Sequence, residues 1–259
     1  MSEMKIATWN VNSINIRLEA VLRWIAEEKP DVLCLQEIKC TDDKFPFLDF
    51  AEIGYKAVIL GQKSYNGVAI LSPMDMGNVK YNFPGDDREA PSRLIAADIE
   101  KIHVVNVYVP NGTELGTDKF VFKLDWIQRL RHYFDEGCSP DSDVLLCGDF
   151  NIAPDERDVY DVATWTGKLH FTFTERAALD YARRWGFVDA FRQFNAEPKQ
   201  YTWWNYREGA FQRDNGLRID FIWVSPSLAK KCTRCWIDRD PRNWERPSDH
   251  VPVVAEFTL

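Results

Sequence analysis

Five apolar runs in this chain end on side chains able to do chemistry. Ile6–Trp9 runs into Asn10, and Val32–Leu35 into Gln36 and Glu37. Val104–Val107 leads to Tyr108 and Asn111, and Val144–Gly148 to Asp149 and Asn151. Ser248-Asp249-His250 precedes the last run, Val251–Phe257. Taken singly, each is an ordinary solvated turn or cap. Together they predict polar side chains converging on one sheet edge, where sites in α/β proteins commonly form. Glu37, Asp149 and Asp249 are hard oxygen donors, and Asn10 and Asn151 add amide oxygens. Packed together, the carboxylates repel and raise one another's pKa, a penalty that a divalent cation removes. Oxygen donors without thiolates or paired histidines favour Mg²⁺, with Mn²⁺ as a substitute. Such an ion acts as a Lewis acid at a phosphoryl oxygen. The candidate metal set is Asn10, Glu37, Asp149, Asn151, Asp249 and His250.

The chain has four histidines. His103 in a strand and His132 on a helix are expected to face water. His250, beside Asp249, is the candidate for carrying a proton near neutral pH. It needs an orienting carboxylate, and Asp220 sits in the apolar run Ile219–Val224 where an unpaired charge is costly. An ion pair of Asp220 with Arg218 is the competing reading. No nucleophile elbow or phosphate-cradling loop is present. A two-carboxylate glycosidase stays conceivable with ten tryptophans, but carboxylates accompanied by Asn and His suit phosphoester hydrolysis better.

These residues need strands to hold them. Runs at 6–9, 32–35, 57–60, 68–71, 94–99, 102–109, 144–147, 219–224 and 251–257 read as strands. Leu18, Val21, Leu22 and Ile25 have helical spacing, as do Phe120, Leu124, Ile127, Leu130 and Phe134. Ala178, Ala182 and Trp185 form a shorter stripe. Many strands with few helices predict an α/β fold of sheets stacked in a sandwich with helices outside. Without a linker or repeat, residues 1–259 read as one catalytic domain.

Composition sets the outer bounds. The 259 residues are 45% hydrophobic and 28% charged, with a formal net charge of −8. Taken alone, that charge argues against phosphate-backbone binding, although it says nothing about one face. Residues 199–246 carry ten basic and six acidic side chains, a local balance of +4. That balance predicts modest, salt-sensitive DNA affinity. No apolar run spans a membrane, and Met1–Asn10 lacks the core of a signal peptide. Six cysteines do not make a disulfide scaffold, and Cys232-x-x-Cys235 has no companion pair for zinc. A reducing cytoplasm and a monomer are the expectation.

The ordered motifs Trp9-Asn10-Val11-Asn12, Leu35-Gln36-Glu37, Gly148-Asp149-Phe150-Asn151, Gly216–Asp220 and Ser248-Asp249-His250 resemble the exonuclease III family of DNA-repair nucleases. Tyr65–Ala69, Phe83–Asp87 and Tyr201–Trp204 extend the resemblance over essentially the whole chain. It implies a four-layered α/β sandwich of the DNase I-like type. It also implies Mg²⁺-dependent cleavage of phosphodiesters in double-stranded DNA carrying nicks, damaged 3′ ends or abasic sites. By motif, Glu37 resembles the principal metal ligand and Asp149 the residue that positions or deprotonates water. Asn151 and His250 resemble phosphate-holding groups, with Asp220 orienting His250, and Tyr108 a phenol at the phosphate or leaving group. Asn111 joins the substrate-binding residues. Trp203, Leu217 and Ile219 match the walls of a pocket for an extruded sugar.

Two positions depart from the pattern. His170 stands before Phe171 where the family usually carries Gly or Ser. Its ring is expected to crowd the sugar pocket, weakening incision at internal abasic sites while 3′-end processing remains. Asn15 replaces a common basic residue, with Arg17 as its expected stand-in. The alternatives are a full abasic-site endonuclease that tolerates His170, a phosphodiesterase for a non-DNA phosphoester, and a silent binding module.

Overall fold

A computed structural model describes residues 3–87 and 89–259. Among the described residues, twelve strands form two six-stranded mixed sheets. They are β1 (Glu3–Asn10), β2 (Val32–Gln36), β3 (Lys56–Leu60), β4 (Val68–Ser72), β5 (Gly77–Tyr81) and β6 (Leu94–Ile99). They continue as β7 (Ile102–Tyr108), β8 (Val144–Asp149), β9 (Val188–Asp189), β10 (Asp220–Val224), β11 (Cys232–Ile237) and β12 (Val253–Thr258). One sheet has the order β11-β12-β1-β2-β4-β3 and the other β5-β6-β7-β8-β10-β9.

The expected α/β sandwich is what the chain forms. Alternate strand residues fill an apolar layer between the sheets, including Ile6, Cys34, Ile70, Val104, Cys147 and Ile222. The other faces pack under helices. Leu94, Val107, Leu146 and Trp223 meet Trp126, Ile127, Leu130 and Phe134 of helix Asp118–Gly137. Ala7, Leu33 and Leu71 meet Val21, Trp24 and Ile25 of helix Ile14–Glu28. Strands buried on both faces explain why the sequence shows continuous apolar runs rather than alternation.

Each sheet has one parallel pair near its centre, β1 with β2 and β7 with β8. Each pair is joined by one of those two long helices. Register places Asn10 beside Gln36, and Tyr108 beside Asp149. Antiparallel β10 brings Asp220 opposite Asp149. Both parallel pairs therefore end at one edge of the sandwich.

The structure corrects several details. β5 and β11 are strands without a matching apolar run. β5 is largely exposed, and Cys232-x-x-Cys235 lies in β11 with Cys235 buried. The last strand starts at Val253, after Val251-Pro252. On helix Asp118–Gly137 the buried face is Lys123, Trp126, Ile127, Leu130, Tyr133 and Phe134, whereas Phe120 and Leu124 are only half-buried. Trp185 lies beyond helix Phe173–Arg183. His103 does not simply face water, because its Nδ1 is 2.6 Å from Asp98 Oδ1 and its Nε2 3.2 Å from Tyr133 Oη. His132 is exposed beside Glu136.

Candidate active site

The site is built on the edge where the parallel pairs end. Asn10 closes β1, and its side-chain amide donates to Glu37 Oε1 at 2.8 Å and to Asp149 Oδ2 at 2.9 Å. Its oxygen accepts from Asn12 N. Asn10 thus bridges the two carboxylates with its nitrogen, and its oxygen does not face them as the ligand reading required. Glu37 follows β2 in a left-handed conformation (φ +51°), a cost of about 1 kcal/mol or more for a residue with a Cβ. Its Oε2 pairs with Lys39 at 2.8 Å.

Asp149 is 1% exposed at the end of β8. Burial, with the Asp220 and Glu37 charges, pushes its carboxyl up to about 7, against the pull of His250. His250 Nδ1 lies 2.9 Å from Asp220 Oδ2, and its Nε2 3.7 Å from Asp149 Oδ2. Burial opposes the imidazolium, but Asp220, Asp149 and Asp249 overcome it and push the ring up to about 10. The pairing of Asp220 with His250 is the expected one. Arg218 instead turns to Asp158 at 2.6 Å and Asp189 at 2.9 Å.

Asn151 donates to Val109 O at 3.1 Å and to Asp149 Oδ2 at 3.3 Å. Its oxygen accepts from Asn111 Nδ2 at 3.1 Å, so this amide too is held within the network. Tyr108 closes β7, with Arg93 4.7 Å over its ring. Burial and the charges of Glu37 and Asp149 push its phenol well above the ordinary range, so it stays a proton donor.

Glu37, Asp149 and His250 bring ligand atoms within 4.8 Å of one another, the one such group among the described residues. Asp249 stands apart from it. Its carboxylate accepts from Asn12 Nδ2 at 2.9 Å and Trp203 Nε1 at 3.0 Å. The raised Asp149 carboxyl fits a centre that a divalent cation would relieve. The donor set is hard oxygen plus one imidazole that Asp220 already engages.

Several residues that hold this geometry were not anticipated. Gln36 Nε2 donates to Asn106 Oδ1 at 2.6 Å, and Asn106 Nδ2 donates to Leu35 O and Ala69 O. This buried polar link joins the two sheets beneath the site. Ser248 Oγ donates to Asn10 O and accepts from His250 N, tying the last loop to β1. Lys123 is fully buried, and its ammonium donates to Asn111 O, Asn151 O and Glu175 Oε1 at 3.0, 2.8 and 2.6 Å. A lysine among Trp126, Ile127 and Leu130 on a buried helical face was the available signal. Arg17 does not stand in as a phosphate contact. It is 9% exposed and committed to Asn12 O, Tyr206 Oη and Pro247 O.

Beside the site, Leu217 and Ile219 are covered, packed with Ala153, Val159 and Phe171. They back the expected pocket rather than surface it. Trp203 packs on that cluster and pairs with Leu217 across a backbone bridge. His170 lies between Trp165 and Trp203, at ring separations of 6.3 and 6.4 Å. Its φ is +73°, a left-handed conformation that suits glycine. Nδ1 is 2.6 Å from Asn151 O. A carbonyl only accepts, so Nδ1 carries the proton. Burial, then the Lys123 charge, hold this imidazole down at about 4.

A model of the family described as "Endonuclease/Exonuclease/phosphatase family" matches residues 7–250. The chain belongs to that family. Within it, the chain is of the exonuclease III type. It is 35% identical to exodeoxyribonuclease III of Haemophilus influenzae, covering 98% of this chain and 100% of that protein. An AP endonuclease structure from Archaeoglobus fulgidus matches with a TM-score of 0.95 and 40% identity over 99% of this chain and 100% of that one. The 3′-5′ exonuclease NExo from Neisseria meningitidis matches with a TM-score of 0.96 and 42% identity over the same shares. The family and its exodeoxyribonuclease relatives make this protein a hydrolytic nuclease, and the neighbours share its two-sheet α/β sandwich. Among the described residues, no helix is long and apolar enough to cross a membrane.

Proposed function

We propose that residues 1–259 form one catalytic domain, a Mg²⁺-dependent DNA-repair phosphodiesterase in which Mn²⁺ can substitute. It acts on double-stranded DNA as a 3′-5′ exonuclease and cleans blocked 3′ ends, with incision at internal abasic sites weakened. The observation that carries this reading is His170, whose ring stands between Trp165 and Trp203 beside the catalytic residues. The NExo structures support it. One is a 3′-5′ exonuclease and the other a 3′ phosphatase bound to a product DNA hairpin, each 42% identical to this chain.

Glu37 and Asp149 would hold the cation, whose chemistry when bound is Lewis-acid polarisation of the phosphoryl group. Asp149 positions the attacking water and takes its proton. The His250 imidazolium, fixed by Asp220, would donate to the oxygens that gain charge at phosphorus, and the Asn151 amide would join it by exchanging Val109 O or Asp149 Oδ2 for a phosphate oxygen. Tyr108 keeps its proton for a phosphate or leaving-group oxygen. Asn111 steadies Asn151, and Asp249 anchors Trp203 at the pocket.

The test is a pair of duplexes, one with an internal abasic analogue and one with a nick bearing a 3′-phosphate, each with Mg²⁺ and with EDTA. Release of phosphate from the nick, lost with EDTA, together with poor incision of the first duplex, is the expected result. Efficient incision by the unmodified protein would leave it a full abasic-site endonuclease that tolerates His170, as the 40% identity to the Archaeoglobus AP endonuclease would favour. Inactivity on both duplexes would favour a non-DNA phosphoester.

A further inference from the structure

Along 217–219 the chain alternates. Leu217 and Ile219 enter the apolar cluster behind the sugar pocket. Arg218, between them, lines a separate cavity of about 320 Å³. Arg157, Arg176, Arg183 and Arg192 also line it.

Four of these five guanidiniums have carboxylates. Arg157 pairs with Asp155, Arg183 with Asp180, Arg192 with Asp158, and Arg218 with Asp158 and Asp189. Among the described residues Arg176 has no ion-pair partner. It stacks 4.5 Å over Phe171, and its buried Nε has no hydrogen-bond acceptor. Trp223 lines the same cavity at 1% exposure, and its indole N–H is also without an acceptor. So is Arg192 Nε. The indoles of Trp9, Trp24, Trp203 and Trp204 each donate to a carbonyl or carboxylate, and Trp165, away from this cavity, is the other buried indole without an acceptor among the described residues.

Buried donors are nearly always satisfied. Here the three unmatched groups are all donors, two of them cationic, and all belong to residues that line one cavity. A group offering several acceptor oxygens and negative charge would meet all three. A planar carboxylate offers two oxygens, whereas a tetrahedral phosphate reaches donors arriving from different walls, and arginine suits it.

We propose that this cavity is a binding site for a free phosphate monoester or orthophosphate dianion, separate from the catalytic centre. Arg176 and the Trp223 indole are its principal donors. Arg192 adds a third, and the volume leaves room for a sugar beside the phosphate. Phosphoester hydrolysis generates such anions, and the cavity backs onto the strand segment that walls the sugar pocket.

The tryptophan indoles report on this directly. Metal-free full-length protein, labelled with ¹⁵N, is titrated with orthophosphate against matched NaCl while the indole N–H signals are followed. The Trp223 signal, identified by its absence in Trp223→Phe, should shift saturably. Arg176→Gln, at a half-exposed position, should abolish the shift and leave the other indoles in place. It also keeps the test readable if the core substitution does not fold. 5′-Deoxyadenylate should reproduce the shift, and deoxyadenosine should not. The proposal fails if only the Trp203 signal moves, because the anion is then in the catalytic site. It fails if Arg176→Gln leaves the response intact. It also fails if duplex DNA moves Trp223 and orthophosphate does not, which would make the cavity part of a DNA track.

Discussion

Replacing His170 with glycine separates what this residue does for folding from what it does to substrate. Its φ of +73° costs a side chain about 1 kcal/mol, which glycine recovers. Glycine loses the Nδ1–H bond to Asn151 O, worth about 1 kcal/mol. The ring contacts with Trp165 and Trp203 contribute about 1 kcal/mol more. Asn151 O is not orphaned, because Lys123 Nζ still reaches it at 2.8 Å. The net loss is therefore about 1 kcal/mol, a fall in Tm of about 2–4 °C for a protein of this size. The effect on an extruded abasic sugar should be larger. Overfilling a packed site costs about 1–3 kcal/mol, so removing the ring should raise kcat/KM for internal incision by roughly 5- to 150-fold. Parallel assays on the abasic duplex and the 3′-blocked nick check this, with nick processing unchanged. A glycine variant that folds, keeps its nick activity and gains no incision would refute the steric argument.

The same histidine gives folding a pH dependence. Its folded pKa of about 4 lies below the unfolded value, so the unfolded chain binds more protons in between. This stabilisation is complete above about pH 6.5 and is lost as pH falls toward 4, a change of about 2–3 kcal/mol. Urea midpoints of the wild type and His170→Gly should converge on acidification and then cross, the glycine variant ending the more stable near pH 4. Asp149→Asn should cut turnover by orders of magnitude with DNA binding largely kept, and near-normal turnover would remove Asp149 from its role. Because it also removes a buried, repelled carboxylate, the metal-free variant should melt higher at pH 8 than the wild type. Gly148→Ala should destabilise by about 3 kcal/mol or more. Its φ is +141°, and a Cβ would stand 1.9 Å from Val107 O of the parallel neighbour, so soluble, active protein would contradict the register.

The chemistry of the site was legible because it lies where apolar runs stop. A strand buried on both faces announces its end, and a charged residue there has a reason to be present. The His250–Asp220 pair was legible from one carboxylate inside an apolar strand. Periodicity could not reveal β5, whose residues are mostly exposed, or the sheet-crossing Gln36–Asn106 link, which depends on register between distant strands. Arg17 shows the opposite failure. Proximity in sequence suggested a phosphate contact, whereas the helix turns it inward toward Tyr206 and Pro247. The basic balance of residues 199–246 overstated the charge open to DNA, since Arg218 is buried in ion pairs and Arg239 is paired with Asp214.

Lys123 and Glu175 join helix Asp118–Gly137 to helix Phe173–Arg183, and both are entirely without solvent. Glu175 also accepts from His170 N and caps its own helix through Thr172, while Lys123 holds the carbonyls of Asn111 and Asn151. Local opening cannot release one of these segments and leave a buried charge unpaired, since that costs several kcal/mol. The two helix ends, the Asn111 and Asn151 loops and the His170 turn should therefore exchange their amide hydrogens as one cooperative unit. Thermal fluctuation would then uncover the proposed sugar pocket only when it also disassembles the loops proposed to hold phosphate, so a transiently widened pocket would not be one able to cut.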